Sequence, residues 1–133
     1  MNSYELTPSE REELVKILKD ITSQCDLEAI ALVSREGQSL AFFANKRADP
    51  DLLSAISAAL LNTGEMVTSK LEHGDLADMV IRGKKGFTVL SKAGDFILIG
   101  ANREISATGI TLRVFRQYNE KIRSILEERY LSV

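Results

Sequence analysis

The 133-residue sequence predicts an α/β fold of the α+β kind, in the order α-β-β-α-β-β-β-α. Three observations predict it. Three long stretches carry apolar residues at helical spacing, shorter apolar runs lie between them, and short glycine-bearing turns join the runs as antiparallel neighbours.

The first helix opens with Thr7 as N-cap, Pro8 at the first helical position and Glu10 closing a Thr-x-x-Glu capping box. Leu14, Ile17, Leu18, Ile21 and Cys25 then share one face, with Glu12, Lys16, Lys19 and Asp20 turned away. Leu27 to Ser34 is a nearly continuous apolar run, the pattern of a strand buried on both sides. Arg35-Glu36-Gly37-Gln38 supplies a turn with Gly37 free to take positive φ, and Ser39 to Ala44 returns as a hairpin.

Asp49-Pro50 opens a second helix that reaches about Glu72, with Gly74 expected as its C-terminal cap. Strands follow at about Ala77–Arg82, Phe87–Ser91 and Phe96–Ala101, joined by short turns as a meander. A third helix runs from about Ser106 to Tyr130. Its apolar face carries Val114, Phe115, Tyr118, Ile122, Ile125 and Leu126, and its polar face offers the i,i+4 pairs Arg116/Glu120 and Arg123/Glu127. The first and last strands have the longest apolar runs and belong in the centre. The second, and the third with Asp78 and Arg82, belong at the edges. The expected sheet is five-stranded and antiparallel, in order 2-1-5-4-3, with helices on both faces.

Length and the absence of any linker, repeat or low-complexity stretch predict one domain over residues 1–133. A composition 44% hydrophobic and 27% charged argues against extensive disorder. With 17 basic and 19 acidic residues well mixed, no basic stripe marks a nucleic-acid surface. Arg82-Gly83-Lys84-Lys85 reads as a solvated hairpin tip. The lone Cys25 fits a reducing compartment. The start Met-Asn-Ser-Tyr-Glu has no leader character, and no apolar run nears the roughly 18 residues that span a bilayer. A cytoplasmic protein without direct membrane insertion is expected.

Catalytic signatures are missing. There is no Gly-x-x-x-x-Gly-Lys-Ser/Thr and no Gly-x-Ser-x-Gly. His73, the single histidine, sits at a helix end, where a solvated ring is the simpler reading, and Cys25 falls on an apolar face as a packed thiol. One His and one Cys do not make a zinc site. No enzyme, cofactor or metal is expected. An arginine finger is the one catalytic role to weigh; Arg35 and Arg82 lie near turns without a feature that marks them.

The second helix points outward. Leu52, Leu53, Ile56, Leu60, Val67 and Leu71 form one wide apolar face, expected to lie on the sheet. The opposite face carries Ser54, Ala58, Leu61 and Glu65, flanked by Ser57 and Ala55, and no charge occurs from Leu52 to Gly64. A solvent-facing helix back would be charged, so this one is expected to be covered by another chain. The edge strand with Met79, Val80 and Ile81 is a sticky template unless paired. A two-fold dimer would cover both. The expected dimer or partner interface is therefore Ser54, Ser57, Ala58, Leu61, Glu65, Met79, Val80 and Ile81.

The order of elements, the Ala29–Gly37 strand and turn, the Ser57-Ala58-Ala59-Leu60-Leu61 helix segment, the Phe96–Ala101 strand and Gly109-Ile110-Thr111-Leu112-Arg113 together resemble the Roadblock/LC7 family over nearly the whole chain. The resemblance implies a homodimer, or a heterodimer with a paralogous Roadblock protein, with a sheet continuous across the third strands. It also implies a paired-helix platform for a Ras-like small GTPase, acting as regulator or scaffold. The N-terminal helix and the Tyr130-Leu131-Ser132-Val133 tail depart from the family pattern. A small-ligand sensor module and a structural subunit of a larger complex are the competing readings.

Overall fold

The computed structural model describes residues 5–45 and 48–130. Among them the order is α1 (Pro8–Cys25), β1 (Ala29–Ser34), β2 (Ser39–Ala44), α2 (Pro50–Lys70), β3 (Asp78–Gly83), β4 (Gly86–Ala93), β5 (Phe96–Asn102), a 3-10 turn (Ile105–Ala107) and α3 (Thr108–Tyr130). Residues 1–4 and the tail from Leu131 lie outside the described residues.

The strands form one antiparallel sheet in the order β2-β1-β5-β4-β3, as expected. Hydrophobicity sorted them correctly because a central strand loses water on both faces and at both edges. β1 and β5 are accordingly almost wholly buried, whereas β3 is exposed from Val80 onward. In the β1–β2 hairpin, Leu32 and Val33 face Ala41 and Ser39, so Leu40 is an extra residue in a bulge. Gly37 takes its turn at φ 93°.

α1 begins as its sequence dictates. The Glu10 N–H donates to Thr7 Oγ1 at 3.1 Å and the Thr7 N–H to Glu10 Oε1 at 2.9 Å. α1 and α3 cover one face of the sheet. Leu18, Ile21, Leu32, Leu98, Phe96 and Phe115 fill that core, and all are fully buried. Gly100 allows the close approach there: a Cβ would fall 2.7 Å from Phe115 Cζ and 2.9 Å from Leu27 Cδ1.

α2 covers part of the opposite face, over Ala31, Val33, Ile97 and Ile99. Asp49 caps it by accepting from the Asp51 and Leu52 N–H groups. The left-handed residue at its end is Glu72, at φ 57°, not Gly74. The His73 N–H donates to Thr68 O and the Glu72 N–H to Ser69 O, the paired bonds of a Schellman end. Gly74, also at positive φ, shapes the following turn. On α3, Arg116 reaches across to Asp78 of β3 rather than along the helix to Glu120, and Arg123 pairs with Glu120.

Candidate interaction surface

α2 lies on the sheet by the opposite side from the one its sequence suggests. Ser54, Ser57, Leu61 and Gly64 are its buried residues. Leu52, Ile56, Val67 and Leu71, expected inside, are 59%, 44%, 49% and 60% exposed, and Met66 is 62% exposed. Leu53 and Leu60 lie at the flank, half-buried against the sheet-side cluster. The reason lies in the sheet beneath. It brings its own bulk, in Val33, Phe42, Leu90, Ile97 and Ile99, so the helix that fits it closely is one with short side chains. At Gly64 a Cβ would come within 2.8 Å of Met79 Sδ and 3.0 Å of Leu76 Cδ2, so the bare glycine is what lets α2 approach the start of β3.

The residues expected at the interface therefore separate. Ser54, Ser57 and Leu61 are enclosed within their own chain. Their hydroxyl groups turn back onto the helix: Ser54 Oγ donates to Pro50 O and Ser57 Oγ to Leu53 O, each at 2.7 Å. Ala58 is half-buried above Gly37 of the hairpin turn. Met79 packs beneath α2, while Val80 and Ile81 stand exposed on the outer strand. The structure brings Val80 and Ile81 onto an open sheet edge. It adds Leu52, Ile56, Val67 and Leu71, which were expected to be core, and Met66, which no expectation had placed, with Ala55 and Ala59 exposed among them. One signal could have found this face. Glu65 is the single charge between Asp51 and Lys70, and it lies on the side of the small residues.

Glu65 points to the sheet side because cations wait there. Arg35, just after β1, grips it with two parallel bonds, Nη1 to Oε1 at 2.5 Å and Nη2 to Oε2 at 3.1 Å. Lys92 Nζ, from β4, lies 3.1 Å from the same Oε2. Arg35 Nε also lies 3.9 Å from Asp95 in the β4–β5 turn. The Arg35 bonds, helped by Lys92, hold the Glu65 carboxyl down to about 2 against the opposing effect of burial. Its partner guanidinium is raised in turn, chiefly by the bond to Glu65. Arg35 is thus engaged inside its own chain, whereas Arg82 stands exposed on β3.

Cys25 is buried in the α1–α3 core, and that burial raises its pKa over the opposing effect of a bond with Thr111. His73 is exposed after the end of α2. Among the described residues no group of three or more His, Cys, Asp or Glu is placed to hold a metal ion, and no helix is long and apolar enough to cross a membrane. A cleft of about 350 Å³ lies between α1 and the start of α2, lined by Arg11, Val15, Ser39, Ala41, Phe42, Pro50 and Asp51.

Fold and surface together define a class: a sheet closed on one face by two helices, and on the other carrying a helix whose apolar back stands beside a free strand edge. The chain belongs to the Roadblock/LC7 domain family, whose model matches residues 13–101. No curated protein sequence matches it. Among solved structures it is similar to a protein described as MglB with tetrameric arrangement, with a TM-score of 0.87 at 20% identity over 96% of this chain and 98% of that one. The gliding protein MglB of Thermus thermophilus gives 0.84 at 19% identity, over 96% and 98%. Myxococcus xanthus MglB gives 0.83 at 12% identity, over 94% and 96%. At such identities the likeness is one of fold. Its coverage extends beyond the span of the family model.

Proposed function

We propose that residues 1–133 form one Roadblock/LC7 domain that works in the cytoplasm as a non-catalytic, dimeric platform, binding a Ras-like small GTPase and modulating its nucleotide cycle or location. The observation that carries this reading is the outer face of α2. From Leu52 to Val67 it shows water no charge, and it presents Leu52, Ile56, Met66 and Val67 on a single stripe. Monomeric surfaces rarely leave so continuous an apolar patch uncovered. The free edge of β3 is exposed as well, with Val80 and Ile81 on it. An isologous two-fold pairing of β3 with β3 would set two α2 helices side by side, covering both features with the same patch from each subunit. Each half-exposed aliphatic side chain so covered contributes about 1 kcal/mol.

The partner GTPase comes from the family, and the arrangement of arginines supports regulation without a supplied finger. Arg35 is committed to Glu65, and Arg82 lies on the strand edge that dimerisation would use. Any stimulation of hydrolysis would then come from positioning the partner's own residues.

The test has two stages. Light scattering should report a dimer, and Ile56→Glu with Met66→Glu should convert it to a folded monomer. Binding to small GTPases loaded with GDP or with a GTP analogue should depend on the nucleotide and be lost in the same double variant. A chain that stays monomeric both alone and with a second Roadblock protein, or binding by no GTPase in either state, would overturn the reading. A chain that dimerises only with a second Roadblock protein would make the platform a heterodimer.

A further inference from the structure

A helix apolar on two sides has two ways to lie on a sheet. α2 is such a helix: Leu52, Ile56, Met66 and Val67 on one side compete with Leu61 and its small neighbours on the other. Hydrophobic burial alone favours the first set, because larger side chains remove more apolar surface from water. The observed arrangement is the second. Leu61 is the large side chain of α2 that is fully buried; Leu53 and Leu60 only flank it, half-buried, and Gly64 sets how closely the helix lies, so apolar packing alone does not lock its rotation. The serines beside it do not key the rotation either, since both hydroxyls bond within the helix.

Glu65 lies one turn beyond Leu61 on the same side. Its two oxygens meet Arg35 at 2.5 and 3.1 Å and Lys92 at 3.1 Å. These cations come from the end of β1 and from β4, the two strands that flank β5, so the carboxylate bridges across the central strand. A half-turn of α2 would carry Glu65 into solvent and leave Arg35 and Lys92 without it. We infer that Glu65 is a positioning residue: gripped by Arg35 and Lys92, it sets the rotation of α2 and so decides which side chains the helix presents to a partner. This role for Glu65 rests on the platform reading only for its consequence in binding; the rotation stands on this chain's own geometry.

Ser57→Cys places a near-isosteric thiol on the buried side of α2, and Cys25, buried at the end of α1 in the core on the other face of the sheet, serves as an internal control for global unfolding. Adding Glu65→Gln should speed thiol labelling at position 57 by about tenfold, the change that a loss of about 1.4 kcal/mol produces, and leave Cys25 unchanged. A purely structural contribution would speed both thiols in parallel. Self-association of the Glu65→Gln chain, by sedimentation equilibrium, should weaken about fivefold, as fits a partly screened ion cluster. Arg35→Gln should weaken it similarly, and the double variant should be no weaker than the worse single one, because both changes break the same linkage. Equal labelling with and without Glu65→Gln, or additive losses in the double variant, would overturn the inference; additivity would make Glu65 a direct partner contact. Lys92→Met is the milder variant should Glu65→Gln fold poorly, and the same labelling ratio decides. If the parent chain never self-associates, the homodimeric form of the platform reading fails, and the labelling ratio still decides the role of Glu65.

Discussion

The sheet meets its helices on two faces in opposite ways. Under α1 and α3 the helices bring the bulk: Leu18, Ile21 and Phe115 reach down onto Leu32, Phe96 and Leu98, and Gly100 leaves room for the Phe115 ring. Their backs are charged and face water. Under α2 the sheet brings the bulk and the helix brings serine and glycine, so the helix sits close and turns its large side chains outward. The first face is finished within the chain. The second leaves Leu52, Ile56, Met66, Val67 and Leu71 exposed on the back of α2. An apolar stripe on a helix therefore does not by itself tell which side is inside; the volume already filled by the opposing layer does.

Truncations on the two faces should break this comparison most sharply. Phe115→Ala removes a fully buried ring from the finished face and should cost about 3–5 kcal/mol in urea denaturation. Leu61→Ala and Leu52→Ala form a matched pair on α2. The buried Leu61 should cost about 2–5 kcal/mol. The exposed Leu52 should cost within about 0.5 kcal/mol, measured at protein concentrations low enough to hold the chain monomeric. A larger cost for Leu52→Ala than for Leu61→Ala would mean that the helix lies the other way round.

Smaller effects sharpen the contrast. Gly100→Ala crowds Phe115 and Leu27 and should destabilise by about 1–3 kcal/mol, despite adding only a methyl group. Acid should act through α2. Glu65 is lowered from its ordinary 4.5 to about 2 in the fold, so its stabilisation is complete above about 4.5 and is lost as pH falls through about 2. Denaturation midpoints measured from pH 5.5 down to pH 2 should show a loss of about 1–3 kcal/mol, allowing for partial exposure. Glu65→Gln should remove that part of the slope and be the less stable protein at pH 6.

Much of the finished face was legible in the residues. The capping box at Thr7, the stripes of α1 and α3, and the strand order followed from period and hydrophobicity, because those two helices have one apolar side and one wet side and the central strands β1 and β5 are buried on both faces. Where two local solutions competed, local reading chose the wrong one. Arg116 had Glu120 one turn away yet pairs with Asp78 on β3, which is brought beside it by the fold. Gly74 had the residue type for a helix end, yet Glu72 takes the left-handed position. Ser54, Ser57 and Leu61 were read as outward-facing and are enclosed, while Val80 and Ile81 stand at the open edge where the strand pattern put them.

By itself the sequence determined the elements, their order in the sheet, and the presence of a helix with no charge from Leu52 to Gly64. Only the tertiary structure decided which side of that helix lies on the sheet and which is exposed. Both sides are apolar, so the pattern along α2 is nearly symmetric. The choice is made by residues far away in sequence: Ile97 and Ile99, which already fill the space beneath, and Arg35 and Lys92, which hold Glu65.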